Sequence, residues 1–451
     1  MTSLLIMIVI DPISYERRIG CWKQPTPYGV HVTAVADSAI EGLDPGSGPG
    51  HVAILGAGPI GLDAALACLD RGWPCTVYES AASVAANVTA WSHIRLFTPW
   101  SMNVSAQMLT HLQAAGVQPP GPAEHCPTGA EFAEQLLRPL AELPELAATI
   151  RSHTRVLAVA RQGLLKHEEI GSTQRGSQPF RLLLAGPRDG TDDVEYVEHA
   201  DLLLDCTGSY GQANCLGDGG IPAPGELQVA DRIIRRIPDL NREPDQWAGR
   251  RVLLVGAGKS AQTAARDLAE LVGTRPDTQV LWAVRAADPD WGEISNDPLP
   301  QRQELVDVSQ RLRSGAVPGV QVRTAVVIDA LRETDDGVAV ALRSSTGDVE
   351  EIVVDRIVAL TGFLGDTSLY RQLQVHECYA TAAPMNLSAA LLGAAGAGPA
   401  DCLAQASHGV DALRVPEPNF FVLGMKSYGR NSTFLLRVGY EQVDEVTNAY
   451  S

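Results

Sequence analysis

Three glycines near the start of the chain, Gly56, Gly58 and Gly61, have the spacing of a phosphate-binding turn. They follow the apolar run Val52–Leu55, whose length is typical of a buried strand, and a helical pattern begins at Pro59, between the second and the third glycine. The first glycine permits the tight turn, the second lets a phosphate approach the backbone, and the third lets helix and strand pack closely. Backbone N–H groups at the helix N-terminus then bind the phosphate. The stretch therefore predicts a dinucleotide-binding unit.

An acidic residue closes this unit. Glu79 follows a second short strand, Cys75–Tyr78, and lies roughly 20 residues past the first glycine, as in known dinucleotide sites. A carboxylate there can accept hydrogen bonds from both ribose hydroxyls of an adenosine. We expect its neighbour Ser80 to contribute to the same site. Strand, glycines, helix, strand and acid in this order are much more specific than the glycines alone. A glycine turn in an unrelated α/β protein is the alternative.

A second stretch repeats the pattern about two hundred residues later. It follows the predicted strand Val252–Val255 and opens a helix with periodic alanine and leucine residues. Alanine replaces glycine in the third position of the fingerprint. We predict a second dinucleotide site here, formed by Gly256, Gly258, Lys259, Ser260 and Ala261.

The acid of the first unit has no counterpart in the second. In the second unit, the strand Val280–Val284 is followed by Arg285 instead of an acid. An arginine at that point can make a bidentate, charge-assisted contact with a 2′-phosphate, which favours NADP over NAD. Asp288 and Asp290 lie close by in sequence and weaken this preference. A solvated surface arginine is the alternative.

Two further predicted strands end in a Thr-Gly pair, where small residues let the chain pass close to a ligand. These pairs are Thr207 and Gly208 after the strand Ala200–Asp205, and Thr361 and Gly362 after the strand Ile352–Leu360. The chain thus contains two fingerprints and two such exits in an interleaved order.

Large side chains cluster after the first unit. Trp91, Arg95 and Trp100 lie close together in a chain whose aromatic content is only 5%. Beside a nucleotide fold, the three together favour the wall of a flavin or substrate site. Core packing is the alternative.

Composition limits the class of protein and of partner. The chain has 451 residues, of which 45% are hydrophobic and 20% charged, as is typical of a globular protein. Its formal net charge of −18 argues against nucleic acid and anionic membranes as partners, because both attract basic surfaces. We therefore expect a small-molecule substrate.

The cysteines and the N-terminus indicate the compartment. The eight cysteines include no CxxC pair, so we expect reduced thiols and no metal site. The apolar stretch Leu4–Ile10 is short, follows no basic segment and ends at Asp11 and Pro12. It therefore predicts neither a signal peptide nor a membrane span. These features predict a cytoplasmic protein.

The paired fingerprints and exits resemble those of the two-dinucleotide-binding-domain flavoproteins, which include the glutathione and thioredoxin reductases and the class B flavin monooxygenases. The resemblance covers nearly everything from residue 51 to residue 451. It implies an α/β fold of two Rossmann-like dinucleotide-binding domains, with the NADPH domain inserted in a discontinuous FAD domain. It also implies FAD at the first fingerprint with Glu79, and NADP(H) at the second with Arg285.

The resemblance also implies domain boundaries. Residues 1–49 would be an N-terminal extension and linker, and residues 50–225 the first part of the FAD-binding domain. Residues 226–350 would form the NAD(P)H-binding domain, and residues 351–451 the second part of the FAD-binding domain. A homodimer is possible.

A further flavin contact is implied near the C-terminus. The strand in NFFVLG ends at Gly424, and Met425 follows in place of the usual acid. Residues that we expect to substitute for the acid are Lys426, Ser427 and Arg430. The flavin-proximal helix is expected to begin around Tyr440, Glu441 and Gln442. Its N-terminus would stabilise the negative charge of a reduced flavin.

Two departures from the family narrow the expected chemistry. Disulfide reductases need two cysteines beside the flavin, usually as CxxC or CxxxxC, and this chain has neither spacing. The class B monooxygenases carry a histidine-containing signature before the second fingerprint, and residues 217–251 contain no histidine. A dithiol reaction and membership of that subfamily are therefore not expected.

We predict an FAD-dependent oxidoreductase that takes hydride from NADPH and monooxygenates a small metabolite with molecular oxygen, through a flavin–oxygen adduct. The tryptophan-rich segment and the alanine-ended fingerprint look closer to the N-hydroxylating and class B enzymes than to the reductases. The flavin-proximal candidates are Trp91, Arg95, Trp100 and Tyr440. One alternative is an NADPH-dependent flavin reductase or dehydrogenase with a small organic acceptor. Another is a non-catalytic FAD-binding sensor.

Overall fold

The computed structural model describes residues 48–188, 190–294, 297, 299–395 and 407–451. The predicted N-terminal extension, residues 1–49, lies outside these ranges except for its last two residues. Among the described helices, none is both long and apolar enough to cross a membrane.

The strands and helices have the following bounds. The strands are β1 Val52–Leu55, β2 Cys75–Tyr78, β3 Ile150–Arg151, β4 Arg155–Arg161, β5 Phe180–Arg188, β6 Thr191–Ala200, β7 Leu202–Asp205, β8 Gln212–Ala213, β9 Ile233–Ile234, β10 Arg251–Val255, β11 Gln279–Ala283, β12 Val320–Arg323, β13 Val326–Thr334, β14 Gly337–Ser344, β15 Val349–Val354, β16 Arg356–Ala359, β17 Phe363–Leu364, β18 Glu377–Cys378, β19 Ala383–Pro384 and β20 Phe420–Val422. The α-helices are α1 Pro59–Asp70, α2 Ala86–Thr89, α3 Trp100–Asn103, α4 Ala106–Ala114, α5 Gly129–Phe132, α6 Arg138–Ala141, α7 Pro144–Ala147, α8 Thr173–Ser177, α9 Lys259–Thr274, α10 Pro300–Arg313, α11 Met385–Ala395, α12 Val410–Leu413, α13 Met425–Tyr428 and α14 Leu436–Asn448.

The first sheet is parallel and has the strand order β20-β7-β1-β2-β3. It draws on distant parts of the chain, because β20 pairs with β7. Strand β1 is apolar throughout since both of its faces are covered. Val52 and Ile54 pack against α1 and α14 on one face, and Ala53 and Leu55 pack against the antiparallel sheet β4-β5-β6 on the other.

The second sheet repeats this arrangement within one continuous segment. Its strands are also parallel and have the order β12-β11-β10-β16-β9. Helix α9 packs on one face of the sheet, and the antiparallel sheet β13-β14-β15 packs on the other. Each fingerprint therefore lies between the central strand of a parallel sheet and the helix that covers it.

The domain boundary predicted between residues 350 and 351 is too early. The run Ile352–Leu360, predicted as one strand, forms the end of β15 in the antiparallel sheet and then β16 beside β10. Asp355 separates them, because its carboxylate accepts hydrogen bonds from the backbone N–H and the guanidinium of Arg251, both at 2.7 Å. The segment up to Ala359 therefore belongs with the second sheet.

A two-stranded ribbon joins the two parallel sheets. Strand β8, which follows β7, pairs antiparallel with β17, which follows β16. The Thr361 hydroxyl donates to the backbone carbonyl of Asn214 at 2.8 Å, and the Asn214 amide donates to the Thr361 carbonyl at 3.0 Å. Tyr210 and Phe363 pack edge to face, with ring centroids 5.3 Å apart. The ribbon thus holds the carboxyl ends of β7 and β16 beside each other.

A buried ion network ties the antiparallel sheet β4-β5-β6 to the C-terminal segment. The Glu417 carboxylate accepts hydrogen bonds from Arg161 at 2.6 Å, from Arg175 at 2.9 Å and from the Gln374 backbone N–H at 2.7 Å. The three charged side chains are no more than 1% exposed. Arg175 lies in α8, so this network fixes the polar connection between β4 and β5.

Candidate functional site

The first fingerprint forms a turn that only glycine can occupy at two positions. Gly56 has φ +96°, and a Cβ on it would lie 2.9 Å from the Cys206 carbonyl oxygen. A Cβ on Gly61 would lie 1.9 Å from the Gly56 carbonyl oxygen. Both glycines therefore serve close packing between the turn, α1 and the neighbouring strand β7.

The middle glycine has a different environment. A Cβ on Gly58 would meet no atom within 4 Å, and Gly58 has ordinary extended backbone angles. Helix α1 begins directly after it with Pro59, and no side chain caps the helix N-terminus. The first N–H groups of the helix therefore face open space. Such a site binds an anion through the helix dipole and the free donors.

Glu79 lies beside this turn, as predicted from its position after β2. Its carboxylate accepts hydrogen bonds from the backbone N–H of Ala57 at 2.9 Å and of Ala81 at 2.8 Å. These two bonds fix the carboxylate at the carboxyl end of β2. Ser80 is exposed, and its hydroxyl lies 3.5 Å from the same carboxylate. The acid, the open glycine and the uncapped helix thus form one continuous surface.

The second fingerprint has the same geometry. Gly256 has φ +127°, and a Cβ on it would lie 2.2 Å from the Leu360 carbonyl oxygen. A Cβ on Gly258 would meet nothing within 4 Å, and α9 has no side-chain cap. Ala261 is fully buried, and Ser260 is exposed at the first turn. The second helix N-terminus is therefore also open to an anion.

Lys259 lies at this N-terminus but is held by the following loop. Its ammonium donates to the Trp291 carbonyl at 3.0 Å, and the Gln262 amide donates to the same carbonyl at 2.9 Å. Burial lowers the pKa of Lys259. The Trp291 ring packs on Trp282, with centroids 4.8 Å apart. A cation at a helix N-terminus opposes the helix dipole, so an anion bound there would relieve the repulsion.

Arg285 follows β11 and is exposed at the carboxyl edge of the second sheet. The two acids near it in sequence have other partners. Asp288 pairs with Arg313 at 2.6 Å, and Asp290 accepts a hydrogen bond from the Gly292 backbone at 2.9 Å. Both acids thus have partners other than Arg285.

The two Thr-Gly exits meet through the ribbon. Thr207 is exposed and its hydroxyl donates to the Asp205 carboxylate at 2.6 Å. Gly208 is open to space, whereas a Cβ on Gly362 would lie 3.2 Å from the Asn214 amide. Thr207 and Gly208 lie at the same sheet edge as the first fingerprint, and Thr361 lies at the edge of the second. The ribbon thus joins the segment after Gly208 to the segment after Thr361.

The predicted aromatic wall does not form as a unit. Trp100 is only 2% exposed and packs on Phe132 in the core. Its predicted place in a ligand wall is therefore corrected to core packing. Arg95 is exposed and lies 3.8 Å from Glu131. Trp91 is half-buried against Gly129, and its indole nitrogen has no hydrogen-bond partner in the described part of the chain. The three side chains therefore do not form one ligand-facing wall in the described part of the chain.

The C-terminal helix begins earlier than predicted. Helix α14 starts at Leu436, so Tyr440 and Glu441 lie in its second turn. The Tyr440 hydroxyl is buried and donates to the Asn103 carbonyl at 2.8 Å. Glu441 accepts a hydrogen bond from the Ser407 backbone at 3.0 Å. Both side chains thus contact other parts of the protein, because their positions in the second turn of α14 place them away from the helix N-terminus.

Gly424 contacts the first turn of α1. A Cβ on Gly424 would lie 3.1 Å from Ile60, and one on Gly439 in α14 would lie 2.4 Å from the same side chain. The amide oxygen of Gln442, which lies in the second turn of α14 beside Glu441, accepts a hydrogen bond from the Gly424 N–H at 2.8 Å. Ser427 bonds to this amide, and Arg430 is exposed. The glycines therefore allow α14 to approach the phosphate-binding helix.

Lys426 forms a buried ion pair instead of facing a ligand. Its ammonium donates to the Asp205 carboxylate and to the Thr207 hydroxyl, the latter at 3.1 Å. The two charged side chains are 2% and 0% exposed. The ammonium also lies 5.0 Å from the centre of the Tyr370 ring. The pair anchors the segment after β20 to the end of β7, at the edge that carries the first fingerprint.

Asp63 is a buried acid that the sequence analysis did not consider. It lies one turn into α1 and is fully buried. The Ser105 hydroxyl donates to one of its carboxylate oxygens, and the other has no partner among the described residues. Burial, with smaller contributions from the nearby Asp444 and Asp70, raises the pKa of Asp63 to about 7. Its signal in the sequence is an acid on the apolar side of a predicted helix.

This pKa predicts that Asp63 makes stability depend on pH. Because the carboxyl binds its proton more tightly in the folded chain, its favourable contribution is complete below about pH 4 and is lost as pH rises through about 7. As pH rises from about 5 to about 8, we expect the wild type to lose about 3 kcal/mol of its free energy of unfolding relative to the Asp63→Asn variant. Urea unfolding at a series of pH values measures this change.

The matched control is Asp307→Asn, which changes an exposed helical aspartate on α10. Its difference from the wild type should stay within about 0.5 kcal/mol over the same range. If Asp63→Asn showed the same flat profile as this control, the buried carboxyl would already be ionised at low pH and the prediction would be wrong.

Solved structures of other proteins share the fold of this chain. No protein-family model matches the chain, and no curated protein matches it. The bacillithiol disulfide reductase of Bacillus cereus aligns with TM-score 0.61 at 17% identity, covering 89% of this chain and 98% of its own. The ornithine N-hydroxylase of Kutzneria aligns with TM-score 0.57 at 15% identity, covering 89% and 99%. The cadaverine monooxygenase of Erwinia amylovora aligns with TM-score 0.58 at 13% identity, covering 89% and 94%.

These similarities extend over most of the chain and agree with the two parallel sheets described above. They confirm the predicted α/β fold class, with two Rossmann-like domains of which the second is inserted in the first. They also confirm the resemblance to two-dinucleotide-binding-domain flavoproteins at the level of the fold.

Proposed function

We propose that this protein is an FAD-dependent oxidoreductase that takes hydride from NADPH and monooxygenates a small metabolite. The observation that carries the proposal is the pair of open helix N-termini, at Gly58 and Gly258, with no neighbour where a side chain would project. Each lies at the carboxyl edge of its own parallel sheet, and the ribbon joins these edges. In open α/β sheets, ligands bind at the carboxyl ends of the strands.

FAD fits the first site. Its pyrophosphate would lie against the backbone at Gly58, and the fixed Glu79 carboxylate would accept hydrogen bonds from the ribose. The open space at Gly58, where a Cβ would meet no atom within 4 Å, supports this close approach.

NADPH fits the second site. Its pyrophosphate would lie at the N-terminus of α9, where Lys259 and the helix dipole both favour negative charge. Arg285 is exposed after β11, where the adenosine ribose of a dinucleotide binds in this type of fold. The engagement of Asp288 by Arg313 supports a 2′-phosphate rather than a free hydroxyl as its partner.

FAD, when bound, accepts hydride from a nicotinamide and in its reduced form reacts with oxygen or with an organic acceptor. The protein would bind the two dinucleotides, orient their reactive ends across the ribbon and keep water away from them. Tyr210 and Phe363 form the aromatic surface of the ribbon between the two edges. A small substrate would have to enter beside this surface.

The position of Cys68 and Cys75 argues against these two thiols as a dithiol beside the flavin. Cys68 lies in the last turn of α1, and Cys75 is the first residue of β2, at the amino edge of the first sheet. Glu79 and the fingerprint lie at the opposite edge. The ornithine and cadaverine monooxygenases have the same fold, and their named substrates are small amines. This agrees with a small metabolite as substrate.

Two alanine substitutions test the cofactor sites separately. Because neither Gly58→Ala nor Gly258→Ala meets any atom of the protein, both variants should fold like the wild type. Gly58→Ala should weaken FAD binding by about tenfold or more, or about 1.4 kcal/mol, since the methyl group occupies the phosphate position. Gly258→Ala should keep FAD and weaken NADPH binding to a similar extent.

Fluorescence titration with FAD and anaerobic stopped-flow reduction by NADPH measure the two affinities, and thermal unfolding of the FAD-free chains checks the fold. Each variant is the control of the other, because each should change one cofactor only. If the wild-type protein bound no FAD, the proposal would be wrong. Equal FAD affinity of Gly58→Ala and the wild type would contradict the assignment of the first site.

A separate measurement is needed to show whether the reduced flavin passes its electrons to oxygen or to an organic acceptor. The flavin is first reduced anaerobically with NADPH or NADH and then mixed with oxygen in a stopped-flow spectrometer. NADPH-selective reduction, followed by a transient that absorbs between the oxidised and the reduced flavin, would support monooxygenation. Rapid turnover with a quinone and no oxygenated product would instead indicate a reductase. Bound FAD that NADPH does not reduce would indicate a sensor.

A further inference from the structure

A strained residue lies in the loop that follows β11. Trp291 has φ +56°, in the left-handed region, which is a genuine outlier for a residue with a bulky side chain. It is only 3% exposed, and its ring packs on Trp282, whose indole N–H donates to the Gly256 carbonyl at 2.7 Å. Such strain persists only where the surrounding contacts hold the residue in place. The contacts of Trp291 therefore indicate what the strained conformation serves.

The backbone of Trp291 is held by the second dinucleotide-binding unit. Its carbonyl accepts hydrogen bonds from the Gln262 amide at 2.9 Å and from the Lys259 ammonium at 3.0 Å. The Gln262 amide also donates to the Ala257 carbonyl at 2.9 Å, within the fingerprint turn itself. The strained carbonyl is thus tied both to the turn and to the first residue of α9.

Gln262 is the side chain that connects the loop to the turn. It is 1% exposed, and the two hydrogens of its amide nitrogen serve the two carbonyls. Its amide oxygen lies 3.4 Å from the Lys259 ammonium. A buried amide whose two donors are both satisfied has one favoured orientation. Gln262 therefore fixes the position of the Trp291 carbonyl relative to the fingerprint.

The Lys259 ammonium is held by this carbonyl but keeps the capacity to bind an anion. Its bond to Trp291 is of normal length, whereas its contacts with the Gln262 oxygen and the Arg302 carbonyl, at 3.4 and 3.5 Å, are long. An ammonium has three donor hydrogens. The nearby Asp297 carboxylate pairs with Arg302 at 2.5 Å. Lys259 therefore offers donors and charge to an anion at the N-terminus of α9, where it is the first residue.

We propose that Gln262 is a positioning residue of the second dinucleotide site: through the Trp291 carbonyl, it holds the Lys259 ammonium where a phosphate oxygen of NADPH binds. This inference rests on the proposed function, because it names what supports the cofactor at that site. A lysine side chain is flexible, and one that is already fixed loses less conformational entropy when the phosphate binds. Gln262 thus raises the affinity for the dinucleotide through Lys259.

A double-mutant cycle of NADP⁺ affinity tests this role in the full-length protein, with isothermal titration calorimetry as the measurement. NADP⁺ is the probe because it carries the same phosphates as NADPH and does not reduce a flavin. Lys259→Met should weaken binding by about tenfold or more, since a charge-assisted hydrogen bond is lost. Gln262→Met, whose side chain is also unbranched, should weaken binding by about two- to tenfold, since the ammonium must then be immobilised on binding.

The double variant separates a positioning role from a structural one. If Gln262 acts through Lys259, Gln262→Met should have no further effect in the Lys259→Met background, within about twofold. A purely structural role would weaken binding by the same factor in both backgrounds. The matched control is Gln310→Met, which changes an exposed glutamine of α10 and should bind NADP⁺ like the wild type.

A second measurement needs no substitution, so it stands even if a variant does not fold. The wild type is acetylated with and without NADP⁺, and peptide mass spectrometry follows each lysine. Because an amine must lose its proton to react, an ammonium bound to a phosphate reacts more slowly. NADP⁺ should therefore slow the acetylation of Lys259 and leave that of the exposed Lys166 unchanged.

The inference is wrong if Gln262→Met binds NADP⁺ like the wild type, or if its effect is the same in both backgrounds. It is also wrong if NADP⁺ binds without changing the acetylation of Lys259. The proposed function fails by a different result, because a chain that binds no FAD can still bind NADP⁺ through Lys259 and show the coupling. A wild type that binds no NADP⁺ would overturn both.

Discussion

The Glu417→Gln variant is expected to lose about 3–5 kcal/mol of the free energy of unfolding. Glu417 is the only anion that contacts Arg161 and Arg175 in the described part of the chain, and all three side chains are buried. Removing its charge leaves two guanidinium groups without a counterion in a region from which water is excluded. The cost of an uncompensated buried charge far exceeds that of a lost surface pair.

Urea unfolding measures this loss, and Glu351→Gln is the matched control. Glu351 pairs with Arg332 at 3.3 Å, and these side chains are 57% and 64% exposed. The control should change the free energy of unfolding by less than about 1 kcal/mol, because water screens an exposed pair. If the two variants had equal stability, the buried network would contribute no more than a surface ion pair, and the prediction would fail.

The second large effect is expected at the buried pair between Asp205 and Lys426. Asp205→Asn and Lys426→Met should each destabilise the protein by about 3–5 kcal/mol, since each leaves one buried charge unpaired. The double variant should be more stable than the sum of the single effects implies, by about 2 kcal/mol or more, because no unpaired charge remains. Such coupling distinguishes an ion pair from two independent packing roles.

A double-mutant cycle of urea unfolding curves provides the measurement, and the FAD affinity of each variant provides a second readout. Because Lys426 also contacts Thr207 at 3.1 Å, loss of the pair should weaken FAD binding at the adjoining edge of the first sheet. Additive single effects, within about 0.5 kcal/mol, would show that the two side chains do not interact energetically.

Sequence patterns predicted the parts of the fold that depend on local residue order. The glycines of both fingerprints, the strands on either side of them and the acid Glu79 are set by short-range sterics and by burial of short apolar runs. The same reasoning failed where a distant partner decides the structure. The strand Ile352–Leu360 divides at Asp355 because Arg251, about a hundred residues earlier, bonds to its carboxylate.

The residues of the candidate site also divide into those that local sequence predicts and those whose position depends on a distant partner. The positions of Gly58, Gly258 and Arg285 at the carboxyl edges could be predicted, because parallel strands place their ends together. The buried ion pairs could not, since Arg161 and Glu417 are 256 residues apart and Asp205 and Lys426 are 221 residues apart. Trp100 was assigned to a ligand wall because residue type alone does not separate an aromatic core from an aromatic pocket.

The first sheet is also the last to be completed during protein synthesis. Strand β20 pairs with β7, and Gly439 of α14 packs on Ile60 of α1, yet both C-terminal elements are made after the whole second sheet. At roughly 5–20 residues per second, the ribosome needs about 10 to 40 seconds to make the intervening segment. During that time the edge of β7 and the apolar face of α1 are uncovered. An unpaired edge strand is a site of aggregation, so recombinant yield should depend on chaperone supply in this interval.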